Sequence, residues 1–312
     1  MAGRPISLLP NLVTLANAFF GLLALSKAID ALILSGDDPT VFYQKMDRAC
    51  FYVFVGMICD GLDGLVARLT RGESAFGAQL DSFSDALTFG VVPALLVKVL
   101  VEHEGGLTGH AGNPRLHFLA SASFALMAIL RLVRFNLEPD EEKTGEEKTG
   151  EEKTGEVKTG EVKTGEVKTF RGLPSPAAAG MVVSTIWLYL VMRQPSLEKE
   201  EGTSTFFHRA LSFMEAPYWE PVLDWVPVLL ACALPILGFL MVSNVRYVHT
   251  ISYLMLPRSQ FFTLVGIVFL LILFYMAPVL FLFLFAVGFT LSGFVLQGLA
   301  RLRLIRAPSP RA

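Results

Sequence analysis

Four aspartates are the residues best suited to chemistry in this 312-residue chain. Asp60 and Asp63 stand in Cys59-Asp60-Gly61-Leu62-Asp63-Gly64-Leu65-Val66-Ala67-Arg68, and Gly77, Asp81 and Asp85 follow after a connection of eight residues. Both groups lie in or beside apolar stretches of membrane length. A carboxylate in hydrocarbon costs roughly 2.5–3.5 kcal/mol even on the lenient insertion scale, so four together need a compensating cation, proton or aqueous cavity. On a helix, Asp60, Asp63, Gly64 and Ala67 make one stripe with Arg68 at its edge, and Gly77, Asp81 and Asp85 make a second at spacings of four. If the two helices pack antiparallel across the short polar connection, the four carboxylates converge on one pocket. Such oxygen donors suit Mg²⁺ or Mn²⁺, which combine a few carboxylates with water and substrate phosphates. Two such ions roughly 3.5–4 Å apart would clamp a phosphoryl group during a displacement.

The elements that must position these acids are membrane helices. Hydrophobic residues make up 53% of the chain and the mean hydropathy is +0.53, which excludes an ordinary soluble domain. Apolar segments of about 20 residues, the length of a span, fall near 9–34, 46–69, 80–102, 115–136, 174–193, 222–245, 260–279 and 281–304. The last two form one run, divided here at Met276-Ala277-Pro278 because Pro breaks a helix interior. The expected fold is therefore all-α, a polytopic transmembrane bundle of about eight helices. Residues 1–136 carry helices 1–4 and the acids, 137–170 form a linker, and 171–312 carry helices 5–8. The linker repeats Glu-Glu-Lys-Thr-Gly three times and Glu-Val-Lys-Thr-Gly twice. So polar and Gly-punctuated a segment cannot offset the entropy of ordering.

Arg4, Arg68, Arg71, Arg131, Arg134, Arg246, Arg258 and the arginines from Arg301 onward fall on one side of an alternating chain. The positive-inside bias then places both termini, and the acidic pocket, at the cytoplasmic face of the cell membrane. Arg4 precedes an apolar run with no small-residue cleavage site, which points to a retained first helix. Cys50, Cys59 and Cys232 show no metal or redox spacing and read as small buried hydrophobes.

Beyond the acids, three clusters are candidates. Asn11, Thr14 and Asn17 form a polar stripe near the pocket end of helix 1, which suits interhelical hydrogen bonding and phosphate contact equally. Arg131 and Arg134, one turn apart at the end of helix 4, satisfy the positive-inside bias and could also grip an anion through the guanidinium fork. Gly90 and Pro93 on helix 3 read as architecture: close packing and a bend.

The pattern Asp-x2-Asp-Gly-x2-Ala-Arg-x8-Gly-x3-Asp-x3-Asp is complete here. It resembles the signature of the CDP-alcohol phosphatidyltransferase family, membrane enzymes that move a phosphatidyl or related group from a CDP-linked donor to an alcohol. Leu80-Asp81-Ser82 with Phe89-Gly90 and Pro93-Ala94, Arg134-Phe135-Asn136, Gly172-Leu173-Pro174-Ser175-Pro176-Ala177-Ala178-Ala179 and Phe239-Leu240-Met241-Val242-Ser243 look like its membrane-type phosphatidylserine synthase branch. The pentad linker is an added departure. The resemblance implies transfer from CDP-diacylglycerol to the L-serine hydroxyl with release of CMP. By that pattern Asp60, Asp63, Asp81 and Asp85 hold Mg²⁺ or Mn²⁺, and Asp85 also serves as base. Gly64, Ala67, Arg68 and Gly77, with Asn11 and Thr14, meet the CDP-lipid, and Arg131 and Arg134 meet the serine carboxylate. A homodimer is compatible with this reading and no nucleic-acid partner is expected. The alternatives are another acceptor, such as glycerol 3-phosphate, inositol phosphate or choline, which needs the same four acids, and a cation or proton transporter, which leaves the fixed glycines and Ala67 unexplained.

Overall fold

The computed structural model describes residues 8–36, 39–70, 75–108, 113–137, 169–193, 219–248 and 260–306. The pentad linker lies outside the described residues except at its two ends. Helices α1 (Leu8–Leu34), α2 (Pro39–Thr70), α3 (Ala75–Asp85), α4 (Val92–Thr108) and α5 (Pro114–Leu137) form the first half. The second half holds α6 (Ser175–Arg193), the short α7 (Glu220–Leu223), α8 (Val226–Val242), α9 (Gln260–Met276) and α10 (Pro278–Arg306). Each of the eight expected spans corresponds to helix, and the chain divides between Met276 and Pro278 as expected. Among the described residues, five helices are long and apolar enough to cross a membrane, and three shorter apolar helices accompany them. The protein is an all-α polytopic membrane bundle.

Its packing is that of a membrane protein. On α1 the large residues Leu15, Phe19, Leu22, Ile29 and Ile33 face outward, while Ala24, Ala28 and Ala31 are fully buried. Small residues let α1 and α2 approach closely, and the bulky side chains meet lipid. Several helices outrun their apolar stretches. α2 begins at Pro39, where a proline at the first turn forfeits no hydrogen bond.

α3 and α4 are one continuous element with a wide π-helical turn, Ala86–Val91, between them. The cause lies just downstream. The Pro93 ring would strike the Phe89 carbonyl, four residues back, in a regular α-helix. The backbone opens instead, and the Val92 N–H donates to the Leu87 carbonyl, five residues back. Gly90 sits in this turn against α5, where an added Cβ would stand 3.0 Å from the Ala128 Cβ. The bend and the close packing expected of these two residues are thus one feature.

The expectation that α2 and α3 pack directly on one another needs correction. Among the described residues α2 and α3 meet through their acidic side chains while their backbones stay apart. α1 packs extensively on α2 and also contacts α3, the π turn and α4, so it supplies the shared backbone surface.

A two-stranded antiparallel ribbon, absent from the sequence reading, joins β1 (Thr169–Arg171) to β2 (Arg246–Val248), with Phe170 opposite Tyr247. Gly172 turns the chain from the ribbon into α6 at φ +77°, and a Cβ there would lie 2.3 Å from the Met241 carbonyl oxygen. Only glycine meets both conditions. The Tyr247 ring stacks on Phe289 of α10 at 5.8 Å between centroids, tying the ribbon to the last helix.

The end of the bundle away from the acids is fastened by a buried polar network. Glu104, 1% exposed, accepts from the Tyr43 hydroxyl at 2.7 Å and lies 3.9 Å from Arg193 Nε. Arg193 also pairs with Asp224 at 3.1 Å, and Trp187 Nε1 donates to Asp47 at 2.6 Å. Three helices, α2, α4 and α6, meet here with Asp224, the residue that caps the short α7. Removing one partner of a buried ion pair leaves an uncompensated charge, at a cost of about 3–5 kcal/mol. Arg193→Met should therefore lower the thermal midpoint in detergent markedly, and adding Glu104→Gln should recover most of the loss. Equal midpoints for wild type and Arg193→Met would show that the network carries no stability.

Candidate active site

At the opposite end, α2 presents Asp60 and Asp63 one turn apart, and α3 presents Asp81 and Asp85 one turn apart. Asp60, Asp63 and Asp81 each place a carboxylate oxygen within 4.8 Å of the other two. Like charges so placed repel by at least roughly 3 kcal/mol per pair at an effective dielectric of about 20. The Thr14 side chain and the Gly64 N–H reach the Asp63 carboxylate, yet among the described residues Asp63 Oδ2 and Asp81 Oδ1 are buried and accept no hydrogen bond. Convergent hard oxygens with lone pairs to spare fit a divalent cation. These three residues would hold it, with Asp85 alongside.

Asp85 occupies a different environment. It closes α3 where the π turn begins, and its carboxyl faces that of Asp60 at hydrogen-bonding range. From α1, Asn17 Nδ2 donates to Asp85 Oδ1 at 3.2 Å. From α5, the Arg131 guanidinium lies close enough to attract it. Arg131 Nη1 donates to the Ser175 hydroxyl at 2.8 Å, and its Nε is buried without a partner. Ser175, fully buried, is the first residue of α6, so the pocket draws on α1, α2, α3, α5 and α6.

The other predicted residues fall as follows. Asn11 lies on the same polar stripe of α1, and its Nδ2 is buried with no acceptor. The Thr14 hydroxyl stands 3.1 Å from the Pro10 carbonyl and also within hydrogen-bonding range of the Asp63 carboxylate, which brings it to the acids. Gly64 and Gly77 are partly buried on the helices that carry the acids. Ala67 and Arg68 belong to the last turn of α2, and their side chains lie outside the described residues. Arg134, one turn from Arg131, donates to the Val242 carbonyl at 3.2 Å and to Asn244 Oδ1 at 3.1 Å, at the end of α8.

Two contacts were beyond sequence reasoning. Asn17 was visible as the third polar residue of the α1 stripe, but its pairing with Asp85 depends on the phase of the helix across 68 residues of chain. Ser175 carried no signal beyond its place in a Pro-rich helix start, because its partner is reached only when α5 and α6 pack.

Fold and site together define a polytopic membrane enzyme with an acidic, cation-suited pocket at one end of its bundle. The chain belongs to the CDP-alcohol phosphatidyltransferase family, whose model matches residues 7–197. It is 30% identical over 244 residues to the CDP-diacylglycerol–serine O-phosphatidyltransferase of Helicobacter pylori, a match covering 78% of this chain and 73% of that protein. The enzyme of the same name from Bacillus subtilis is 29% identical over 136 residues, 44% of this chain and 65% of that protein. The archaetidylserine synthase of Methanothermobacter thermautotrophicus is 30% identical over 131 residues, 41% and 47% respectively.

The carboxylate triad makes a direct prediction. Mn²⁺ titrated into detergent-purified protein and followed by electron paramagnetic resonance should bind, and Asp63→Asn and Asp81→Asn should each weaken it by about tenfold or more, since affinity follows the charge count of the ligands. Unchanged binding in both variants would remove the triad as the cation site.

Proposed function

We propose that this enzyme transfers the phosphatidyl group of CDP-diacylglycerol to the hydroxyl of L-serine, giving phosphatidylserine and CMP. The observation that carries the reading is the placement of Asp85 and Arg131 around one pocket. A carboxylate able to take a hydroxyl proton lies within electrostatic reach of a guanidinium whose buried Nε has no partner among the described residues. Serine offers the hydroxyl and the carboxylate that these two groups match. The relatives support it: serine is common to the names of all three, while the lipid part differs between the diacylglycerol and archaetidyl enzymes.

In this reading the serine oxygen forms a bond to the phosphorus that carries diacylglycerol, the bond from that phosphorus to the CMP oxygen breaks, and the hydroxyl proton passes to Asp85. A bound Mg²⁺ or Mn²⁺ supplies charge neutralisation of the diphosphate. Asp60, Asp63 and Asp81 hold that charge in place, and Asn11 and the glycine positions Gly64 and Gly77 line the donor side. Arg131 orients the acceptor, and most of the barrier reduction is positioning and electrostatics. Arg134 shapes the same mouth through the end of α8.

The pocket faces the cytoplasm in this reading, with both termini on that side. Several basic residues at the opposite end are matched by acids, Lys27 with Asp30, Lys98 with Glu102 and Arg193 with Asp224, so the excess of Arg lies at the acidic pocket's end, in keeping with the positive-inside bias.

Purified enzyme given CDP-diacylglycerol and Mn²⁺ should release CMP with L-serine and not with glycerol 3-phosphate, inositol phosphate or choline. Asp85→Asn should abolish turnover and still bind donor. A charge-assisted hydrogen bond is worth about 1.5–3 kcal/mol, so Arg131→Ala should raise the serine KM roughly 10- to 100-fold, with Arg134→Ala within about threefold of wild type. CMP release driven by a different alcohol would keep the donor chemistry and overturn the acceptor.

A further inference from the structure

The polar centre of α1 does more than fill space. Asn17 is fully buried, one face of its amide meeting Asp85 and the other meeting α2. Because a carboxylate only accepts, the nitrogen must be the atom that faces Asp85 at 3.2 Å. That choice leaves Asn17 Oδ1 buried without a donor. An amide held in this way is a poor choice for stability alone, since an unsatisfied buried carbonyl carries a desolvation penalty that an apolar side chain of the same size would avoid.

The surroundings are cut to this side chain. A Cβ on Gly56 of α2 would stand 3.2 Å from Asn17 Oδ1 and 2.9 Å from Thr88 Cγ2. A Cβ on Gly21, one turn along α1, would stand 2.5 Å from the Thr88 hydroxyl oxygen. That hydroxyl, from the π turn that follows Asp85, donates to the main-chain carbonyl of Asn17 at 3.2 Å. Two glycines thus admit a two-bond link: α1 holds the carboxyl at the end of α3 with the Asn17 side chain and holds the π turn three residues later with the Asn17 backbone.

We propose that Asn17 is a positioning residue of the transfer reaction: by donating to Oδ1 it fixes the Asp85 carboxylate in the orientation from which it takes the acceptor's proton. The inference rests on the reading of Asp85 as the base. Asn17 touches neither the donor nor the acceptor, so its removal acts on the rate of the chemical step and not on substrate affinity. Misplacement of a reacting group by about 1 Å costs on the order of 100-fold in rate, which sets the size of the effect.

The test is Asn17→Leu, close in volume and unable to donate, compared with wild type in full-length, detergent-purified enzyme. Wild type must first show serine-dependent CMP release; without it the assignment of the reaction fails, whatever Asn17 does. Given that activity, the expected result is a kcat lower by about 100-fold, KM values for CDP-diacylglycerol and serine within twofold of wild type, and a thermal midpoint equal or higher. A kcat within threefold of wild type overturns the proposal. So does a lowered midpoint together with weakened donor binding, the mark of a structural role. If the leucine variant is not recovered folded, Gly56→Ala displaces the same amide from behind. A reduced kcat with both KM values unchanged then supports the proposal, and a wild-type kcat overturns it.

Discussion

Everything at the working end of this bundle follows from holding four carboxylates together in an apolar setting. The acids cannot be spread apart without losing the site, and in hydrocarbon they cannot be left to water. The fold resolves this by enclosing them between helices that bring complementary groups. α1 contributes an amide donor to Asp85, α5 a guanidinium, and α6 the serine hydroxyl that orients that guanidinium. α1 must reach both acid-bearing helices at once, which is why it is lined with Ala and Gly on its buried face. The π turn is part of the same solution: it re-phases the helix after Asp85, so that Thr88 and Gly90 meet α1 and α5 while Asp81 and Asp85 still face the pocket.

The two ends of the molecule show what separates a structural buried charge from a working one. Glu104 is nearly inaccessible, yet Tyr43, His103 and Arg193 surround it, and Asp47 is met by the Trp187 indole. At the other end, Asp63 and Asp81 keep buried oxygens with no donor, and Arg131 and Asn11 keep buried N–H groups with no acceptor. Protein interiors rarely tolerate such orphans. Here they occur with both signs around one pocket: oxygens that want a cation and N–H groups that want an anion. In the proposed reaction a metal–diphosphate complex would offer both.

Much of this was legible in the chain because periodicity and hydropathy report directly on helices in membranes. The eight helical segments, the division before Pro278, the convergence of the acids and the close packing at Gly90 all follow from spacing and residue type. What escaped depended on packing between distant segments. That α1 lies between α2 and α3, that Asn17 reaches Asp85, and that Ser175 reaches Arg131 depend on helix rotation and tilt, which local sequence does not encode. The Thr169–Arg171 ribbon escaped for a related reason: three residues are too few to show a strand period, and its partner Arg246–Val248 comes from the far side of two helices. Arg131 and Arg134 show the limit most plainly. Their i, i+3 spacing suggested one shared task, yet the first points toward Asp85 and the second toward the carbonyl that ends α8.

That separation bears on how one donor chemistry can serve different acceptors. In the proposed reaction the carboxylates and glycines of α2 and α3, with Asn11 of α1, form the half of the site concerned with the cation and the diphosphate. The acceptor half is assembled from α5 and α6, where the Arg131–Ser175 contact is a bond between helices rather than a motif within one. Changing the alcohol then requires only that α5 and α6 present different groups to Asp85, with the donor half untouched. Asp85 stands at the seam, in contact with Asp60 on the donor side and attracted to Arg131 on the acceptor side. In that reading the base is shared by the two halves, and α1, through Asn17, is the helix that holds it.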